Sequence, residues 1–406
     1  MEKIILRQKL ERDLLLEKEY VPRMAESRAA AFLGSGLIKL ITGPRRAGKS
    51  VFALRMLRDK NFAYLNFDDK KLVESFDENV IYEVLEKVYP GYEYIVLDEI
   101  QNLPLWNDWV GKLNRMGINT VITGSNANLL SKEMESMLTG RYLAFEILPF
   151  SFTEFCEARK GLPSVFDKAN DYIAGGGYPE IVNNRDLLEV YLGSLFESII
   201  SKDIAQRHKV RKLAELSNMA ELMVSYFAKE ITFSSLRDDL GMSSENTVKK
   251  FADYLQESYL FYLLPRFDNK LKLMQKAPRK VYLVDNGFIA AKSFEVSENA
   301  GRRLENMVFM ELMRRGFVPG RSLFYYHTSS GDKEIDFVCR TGHRVDELVQ
   351  VCYDISTLST LKREMDALRR AAKELRCEKK TIVVWSSAPG LDIPDDVAVV
   401  NYIDWI

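Results

Sequence analysis

At 406 residues the chain is too long for a single ordinary hydrophobic core, since domains usually contain roughly 100–200 residues. Lysine and arginine together number 57 against 58 aspartates and glutamates, which excludes a global charge field that attracts nucleic acid and leaves only local basic patches. The four scattered cysteines form no C-x-x-C pair, and no segment approaches the roughly 18 apolar residues of a membrane helix, so we expect a cytoplasmic protein of two or three domains without membrane contact.

The first part of the chain alternates apolar strand patterns with helical stretches. Strands are predicted near 37–41, 62–67, 93–97, 120–124 and 142–148. Helices between successive strands predict right-handed crossovers and hence a doubly wound α/β domain, assigned to residues 1–160 together with an N-terminal helix. In such sheets the ligand lies beyond the carboxyl ends of the strands.

The first predicted strand leads directly into a G-x-x-x-x-G-K-[ST] phosphate-binding motif. The motif consists of Gly43, Pro44, Arg45, Arg46, Ala47, Gly48, Lys49 and Ser50, and Val51 continues it into a predicted helix. Loop amides and the helix N-terminus can converge on one anion, with Lys49 at the β- and γ-phosphates and Ser50 on Mg²⁺. No Asn-Lys-x-Asp guanine-reading pattern occurs, so the prediction is ATP rather than GTP.

The strand near 93–97 ends in two adjacent carboxylates. We expect Asp98 to hold Mg²⁺, directly or through a water. Glu99 is placed to accept a hydrogen bond from the attacking water, as general base or as the group that positions it. The alternative is a solvated strand end, which the upstream phosphate loop disfavours.

Three further residues follow the strand at 120–124. Ser125 and Asn126 are placed to bond the γ-phosphate or the attacking water, or equally to cap the helix predicted over 128–138. Arg141 precedes the next strand. It either reaches the γ-phosphate of a neighbouring subunit or makes a salt bridge within its own chain.

Residues 161–268 predict a helical and winged-helix lid. Apolar spacing indicates helices between about 160 and 230, and 234–255 reads as helix, turn and second helix before a wing strand at 259–264. In a DNA-binding protein, the exposed start of the second helix would meet the major groove through Ser243, Ser244, Asn246, Lys249 and Lys250. The same fold also serves as a packing module, so both interpretations stay open.

Two basic segments are candidates for phosphate contact. The first, in the predicted helical lid, comprises Lys202, Arg207, His208, Lys209, Arg211 and Lys212. Arg207 or Arg211 is a candidate for sensing the nucleotide phosphates, and a solvated helix face is the simpler interpretation. The second, the strongest basic stretch of the chain, comprises Arg266, Lys270, Lys272, Lys276, Arg279 and Lys280. It predicts contact with a DNA backbone or an exposed linker.

Residues 269–406 predict a C-terminal α/β domain. A helix containing Glu305 precedes strands at 323–327, 334–338 and 348–352, an order similar to the PD-(D/E)xK nuclease fold. That resemblance implies Mg²⁺ binding by Glu305 and Asp336, and an acidic-x-Lys pattern on the third strand. The corresponding letters here are Gln350, Val351 and Cys352, so a carboxylate and the lysine are missing. We therefore do not expect cleavage; the remaining carboxylates bind metal weakly or are structural.

The ordered motifs together resemble the archaeal and bacterial AAA-type ATPases that carry a C-terminal domain of unknown function. They are GPRRAGKS (43–50), LDEIQ (97–101), TGSN (123–126), LTGR (138–141), LPFSFTEF (148–155), GGYPE (176–180), YLVDNG (282–287) and GRRLEN (301–306). The resemblance implies an oligomeric ATPase with a winged-helix lid and a nuclease-like domain. In AAA+ rings, Ser125 or Asn126 would occupy the sensor-1 position and Arg141 the subunit edge.

These observations support two functions of different classes. One is an ATP-driven DNA motor or remodeller that works as a homo-oligomeric ring such as a hexamer. The other is a nucleotide-gated switch or scaffold that binds a protein partner through its C-terminal domain. An active ATP-dependent nuclease is a third and weaker option.

Overall fold

The computed structural model describes residues 1–126, 140–292, 299–386 and 393–406. The chain divides into two compact units: the first contains residues 1–158, 178–180 and 257–259, and the second contains 159–177, 181–256 and 260–406. The helix predicted over 128–138 lies outside the described residues. The division into domains at 1–160, 161–268 and 269–406 stays a prediction.

A parallel sheet forms the centre of the first unit, as the doubly wound α/β prediction required. Its strands are β1 (Ile38–Thr42), β2 (Phe62–Asn66), β3 (Tyr94–Asp98), β4 (Asn119–Gly124) and β5 (Tyr142–Glu146), in the order β2-β3-β4-β1-β5. Ile95 and Leu97 enter one hydrophobic cluster while Val96, between them, enters another. Apolar residues on both faces of a buried parallel sheet explain the uninterrupted apolar runs in the sequence.

Helices cover this sheet. They are α1 (Glu2–Leu16), α2 (Ala25–Ala31), α3 (Lys49–Met56), α4 (Lys70–Glu74), α5 (Glu78–Val88), α6 (Trp106–Arg115) and α7 (Phe152–Ala158), with a 3-10 turn at Ile100–Asn102. Asp69 and Asp77 begin α4 and α5 as N-caps, since each side chain accepts a backbone N–H two residues on.

Tyr259 belongs to this first unit although it lies far along the chain. Its side chain is buried, and its hydroxyl hydrogen-bonds Thr42, the last residue of β1 before the phosphate-binding loop. Tyr259 has a left-handed backbone, with φ of 62°. A non-glycine residue in that region costs free energy and is held by its surroundings, so the position of Tyr259 is fixed by packing.

The second unit contains two sheets. β6 (Glu230–Ile231), β7 (Phe261–Pro265) and β8 (Arg279–Leu283) pair antiparallel in the order β6-β8-β7. A mixed sheet has the order β13-β12-β11-β10-β9, from β9 (Leu323–His327), β10 (Glu334–Thr341), β11 (Arg344–Asp354), β12 (Lys379–Ser386) and β13 (Ala398–Asn401). β9, β10 and β11 are antiparallel, and β11, β12 and β13 are parallel. The three strands predicted for the C-terminal domain are β9, β10 and β11.

The remaining helices belong to the second unit, apart from Glu257 and residues 179–180, which the first unit contains. They are α8 (Val165–Gly175), α9 (Leu188–Ser198), a π-helix (Ile199–Gln206), α10 (Leu213–Ser225), α11 (Phe233–Asp239), α12 (Glu245–Glu257), α13 (Leu271–Lys276), α14 (Gly287–Lys292), α15 (Ala300–Arg314), α16 (Leu358–Leu375) and α17 (Tyr402–Trp405), with short 3-10 turns at Pro179–Ile181 and Arg185–Leu187. Across the described residues, no helix has both the length and the apolar character to cross a membrane.

The predicted helix-turn-helix segment corresponds to α11 and α12. Thr232 caps α11 in a reciprocal capping box with Ser235. Along α12, Val248 and Phe251 are buried, whereas Lys249 and Lys250 between them are exposed. The helix therefore presents Lys249 and Lys250 to solvent, and β7 follows it at the place of the predicted wing strand.

Candidate nucleotide site and the second-unit carboxylate cluster

The phosphate-binding loop connects the end of β1 to α3, as its sequence predicts. Gly43 has a φ of +143°, and a Cβ there would lie 2.1 Å from the carbonyl oxygen of Ile147, so a side chain is excluded. Gly48 has a φ of +99° and is the N-cap of α3. Lys49, Ser50 and Val51 then form the first turn of that helix, which aims its amides into the loop.

Ser50 and Asp98 lie together at the carboxyl edge of the sheet. The Ser50 Oγ donates a hydrogen bond of 2.9 Å to Asp98 Oδ1, and Asp98 is 2% exposed. Burial, followed by the neighbouring charge of Glu99, raises the pKa of Asp98. A hydroxyl and a carboxylate are oxygen ligands that Mg²⁺ accepts, and a bound cation offsets the cost of a buried charge, so this pair fits the predicted ion.

Two further hydroxyls hold the Asp98 carboxylate. Thr123 donates to Oδ1 at 2.5 Å, and Tyr64 donates to Oδ2 at 2.8 Å. Both bonds lower the pKa of Asp98 against the effect of burial. Tyr64 lies on β2 and carries no recognisable motif, so the sequence did not reveal it.

Glu99 is held beside Lys49. Its backbone is left-handed, with φ of 51°, and its N–H donates to Thr123 Oγ1 at 3.0 Å. Gln101 Nε2 donates to Glu99 Oε2 at 2.6 Å, while Glu99 Oε1 lies 3.6 Å from Lys49 Nζ. Lys49 also donates to the Pro44 carbonyl at 3.1 Å. The Glu99 carboxylate thus faces the Lys49 ammonium group, which the motif assigns to the nucleotide phosphates.

Ser125 and Asn126 follow β4 at the same edge of the sheet and are 2% and 1% exposed. Within the described ranges, the Ser125 Oγ has no hydrogen-bond partner. A buried unpaired hydroxyl is costly, so its position is consistent with a bond to nucleotide or water. The alternative capping role concerns the segment after 126, which lies outside the described residues.

Arg141 precedes β5, an edge strand of the sheet, and its side chain is exposed. Its carbonyl accepts the Ile38 N–H at 2.9 Å. In the part of the chain that the structure describes, the guanidinium has no salt-bridge partner. Its predicted role at a subunit edge remains a prediction, as does the role of Arg207 or Arg211, which belong to the second unit.

Arg23 contacts the phosphate-binding loop, and sequence reasoning missed it. Its Nη1 donates to the Ala47 carbonyl at 2.9 Å, and its Nε donates to Glu154 Oε1 at 3.1 Å. Glu154 also accepts the backbone N–H groups of Met24 and Ser151, at 2.8 and 2.9 Å. Glu154 lies in the LPFSFTEF motif, but Arg23 lies in a segment without a motif.

Lys280, predicted among the DNA contacts, is instead buried in the second unit. Its residue is 2% exposed, and its Nζ lies 2.9 Å from Glu305 Oε1, 3.0 Å from Asp336 Oδ1 and 2.5 Å from Glu334 Oε1. Burial opposes its charge, but the neighbouring acidic groups, led by Glu305, outweigh burial and hold the pKa of Lys280 well above its ordinary value. The prediction that Lys280 contacts DNA is therefore wrong, because β8 directs this side chain inward.

Two of the three carboxylates around Lys280, Glu305 and Asp336, are those that the nuclease resemblance selected. Burial raises the pKa of Glu305 to about 7 and also raises the pKa of Asp336. Tyr282 donates to Glu305 Oε1 at 2.6 Å, and the Val351 N–H donates to Asp336 Oδ2 at 2.9 Å. An ammonium group thus lies between the carboxylates where that fold would hold a metal ion.

Some of the other predicted DNA contacts share a surface. Lys249, Lys276 and Arg279 line a groove of about 580 Å³. Lys249 Nζ and the Arg279 guanidinium lie 5.7 and 5.1 Å from the ring centroid of Phe233. Glu245, which pairs with Lys249 at 2.7 Å, also lines the groove. The remaining predicted contacts, Lys250, Lys270 and Lys272, are exposed.

Comparison with known protein families divides the chain into three matched segments. Residues 35–156 match the family described as AAA domain. Residues 166–298 and 300–402 match two domains of unknown function, DUF8612 and DUF4143. The first match contains the phosphate-binding loop, Asp98, Glu99 and Arg141, and it begins after Arg23.

Two relatives match most of the chain. An uncharacterized protein of Methanocaldococcus jannaschii is 32% identical over 368 residues, covering 86% of this chain and 81% of its own length. An uncharacterized protein of Haemophilus influenzae is 31% identical over 401 residues, covering 92% of this chain and 95% of its own. Among solved structures, a Walker-type ATPase of Pyrococcus abyssi superimposes with a TM-score of 0.46 at 13% identity, over 68% of this chain and 99% of that one.

Proposed function

Since this chain belongs to the AAA-type P-loop ATPases that carry a C-terminal domain of unknown function, we propose that it hydrolyses ATP with Mg²⁺ and couples hydrolysis to binding or remodelling of DNA. This proposal rests on the grouping of Lys49, Ser50, Asp98 and Glu99 at the carboxyl edge of the parallel sheet. A cytoplasmic homo-oligomer is part of the proposal.

Each residue has a distinct task in the proposed reaction. The loop amides and Lys49 bind the β- and γ-phosphates, and Ser50 and Asp98 hold Mg²⁺, which neutralises phosphate charge when bound. Glu99 accepts a hydrogen bond from the attacking water and aligns it with the γ-phosphorus. Its left-handed backbone and its bond from Gln101 limit the positions that its carboxylate can take.

The assignment of Lys49 and Glu99 is tested by separating binding from turnover. Lys49→Ala should abolish ATP binding, whereas Glu99→Gln should retain binding and lose hydrolysis, because only the second variant keeps the phosphate contacts. Nucleotide affinity is measured by titration with a fluorescent ATP analogue, and turnover by phosphate release. A Glu99→Gln protein with the wild-type rate contradicts the role of Glu99.

Coupling to DNA is supported by the groove that contains Lys249, Lys276 and Arg279. Basic side chains beside an aromatic ring suit a phosphate backbone, and α11, α12, β7 and β8 follow one another as in a winged helix.

Charge reversal at Lys276, as Lys276→Glu, should weaken duplex binding and reduce its salt dependence. Lys60→Glu in the first unit is a matched control on an exposed lysine. ATPase rates with and without duplex, single-stranded and branched DNA then test coupling; no stimulation and no salt-sensitive binding would remove DNA from the proposal.

A nucleotide-gated protein switch is the second candidate. It is favoured by Lys280, which occupies the space between Glu305 and Asp336 and leaves a fold similar to a nuclease without an open metal position there. Such a domain is suited to binding rather than cutting. Recovery of one protein partner only in the ATP state, with turnover unaffected by DNA, would select this function, and both functions predict no Mg²⁺-dependent plasmid cleavage.

A further inference from the structure

Glu230, His327 and Glu334 converge at one point of the second unit. Glu230 lies on β6 opposite Lys280 of β8, and Glu334 lies on β10 opposite His327 of β9. One donor atom from each of the three side chains lies within 4.8 Å of the other two. The strand registers of two different sheets therefore bring an imidazole and two carboxylates together, although the residues are far apart in sequence.

We propose that Glu230, His327 and Glu334 bind a divalent transition-metal ion of the Zn²⁺ type. Imidazole with carboxylate is a ligand set that such ions accept, and three protein ligands leave room for water in the remaining positions. The side chains are 28%, 25% and 36% exposed, so an ion can enter from solvent while the strands fix the ligands. The three proposed ligands include no residue of the phosphate-binding loop and neither member of the pair Glu305 and Asp336.

His327 cannot hydrogen-bond both carboxylates through one ring nitrogen, although Glu230 also hydrogen-bonds Tyr325 and Glu334 also pairs with Lys280. His327 Nε2 faces Glu230 Oε1 in close contact and also lies 3.5 Å from Glu334 Oε2. One ring nitrogen carries at most one hydrogen, so it cannot donate fully to both carboxylates. A metal ion between them accepts the Nε2 lone pair and a carboxylate oxygen from each side, and it removes the repulsion between the two acids.

Lys280 orients the Glu334 carboxylate by pairing with the oxygen that does not face His327. Its Nζ lies 2.5 Å from Glu334 Oε1, which leaves Glu334 Oε2 on the side of His327. Partners of this kind hold a ligating carboxylate in place and are commonly worth a 10–100-fold effect on metal affinity. The same lysine therefore closes the space between Glu305 and Asp336 and positions Glu334 for the proposed ion.

Cobalt titration of the full chain without nucleotide tests the site, because Co²⁺ reports nitrogen and oxygen coordination in its visible spectrum. We expect one Co²⁺ per chain, with affinity at least about tenfold lower in His327→Ala and in Glu230→Gln. His343→Ala is the matched control, since His343 is an exposed histidine in the turn between β10 and β11, and it should bind as the wild type does.

The same titration includes Asp336→Asn, which keeps the proposed ligands. Loss of Co²⁺ in Asp336→Asn with retention in His327→Ala would assign the ion to the buried pair and overturn the proposal. Wild-type affinity in both ligand variants would overturn it as well. Circular dichroism in EDTA checks that each variant is folded, and if His327→Ala is not, Glu230→Gln alone decides the outcome.

Discussion

Replacement of Lys280 by alanine removes an ammonium group that faces three carboxylates of the second unit. Its Nζ contacts oxygens of Glu305, Glu334 and Asp336 at 2.5–3.0 Å, and its side chain is 3% exposed. Removing one partner from a buried ion pair typically costs about 3–5 kcal/mol, because an uncompensated charge stays in the interior. We expect Lys280→Ala to lower the free energy of unfolding by about that amount.

Urea denaturation followed by fluorescence measures this effect on the second unit. Trp385 and Trp405 lie in that unit and Trp106 and Trp109 in the first, so the fluorescence curve contains both units and the comparison is between Lys280→Ala and the wild type; circular dichroism provides a second probe. Lys272→Ala is the control, because Lys272 is exposed in the same basic stretch and such changes usually stay within about 0.5 kcal/mol. A loss below about 1 kcal/mol in Lys280→Ala would contradict the argument, since the ion pairs would then contribute little net stability.

Magnesium provides the second half of the test. Alanine vacates the space between Glu305 and Asp336, so nucleotide-free Lys280→Ala should gain Mg²⁺ affinity that the wild type lacks. At 100 times its dissociation constant, a bound ion restores about 2.7 kcal/mol. If Mg²⁺ stabilised both proteins equally, the idea that Lys280 occupies a cation position would be refuted.

Three further results are expected. Tyr64→Phe removes a hydroxyl bond of 2.8 Å to the buried Asp98 and should lower the free energy of unfolding by about 1.5–3 kcal/mol in urea; a change below 0.5 kcal/mol, roughly the level of a surface substitution, would count against that bond. Burial raises the pKa of Asp285 from 3.8 to about 6, although the backbone N–H groups of Gly177 and Gly287 and the charges of Arg185 and Arg314 lower it. Between these two values the folded chain keeps a proton that the unfolded chain releases. The free energy of unfolding therefore falls by up to about 3 kcal/mol as the pH rises from about 4 to 6. Asp285→Asn should flatten that fall in urea titrations at pH 4.5 and 7, and an unchanged slope would exclude Asp285 as its source. If Arg141 acts across subunits, mixtures of Arg141→Ala and Lys49→Ala proteins should regain ATPase activity at hybrid interfaces, whereas no recovery favours a role within one chain.

The grouping of Lys49, Ser50, Asp98 and Glu99 was predictable because each of these residues directly follows a strand or loop motif that is visible in the sequence. An apolar run ending in Asp98 and Glu99 implies a buried strand with carboxylates at its carboxyl end, and the loop motif fixes Lys49 and Ser50 on the same edge. Tyr64 and Arg23 were not predictable, because each joins the site from a segment that looks ordinary in sequence. Only the fold brings their side chains to Asp98 and to the loop.

Lys280 shows where reading a charge run as a surface fails. Among the residues from Arg266 to Lys280, most basic side chains are exposed or partly exposed, and the last is buried. In β8, Lys280 and Tyr282 share a strand face and both contact Glu305, but Val281 on the other face is equally buried, so the alternation along the strand did not mark Lys280. Only the fold, which brings Glu305, Glu334 and Asp336 around its Nζ, separates this buried lysine from the exposed lysines before it.

The position of Tyr259 determines how this protein can be divided for experiments. The first unit needs Tyr259, which bonds Thr42 beneath the phosphate-binding loop, so a fragment cut near residue 160 loses part of the nucleotide site's support. Helix α12 ends at Glu257, and Ser258 alone separates it from Tyr259. A fragment of the chain that stops at the end of α12 therefore lacks the residue that bonds Thr42, whereas one that continues through Tyr259 keeps it.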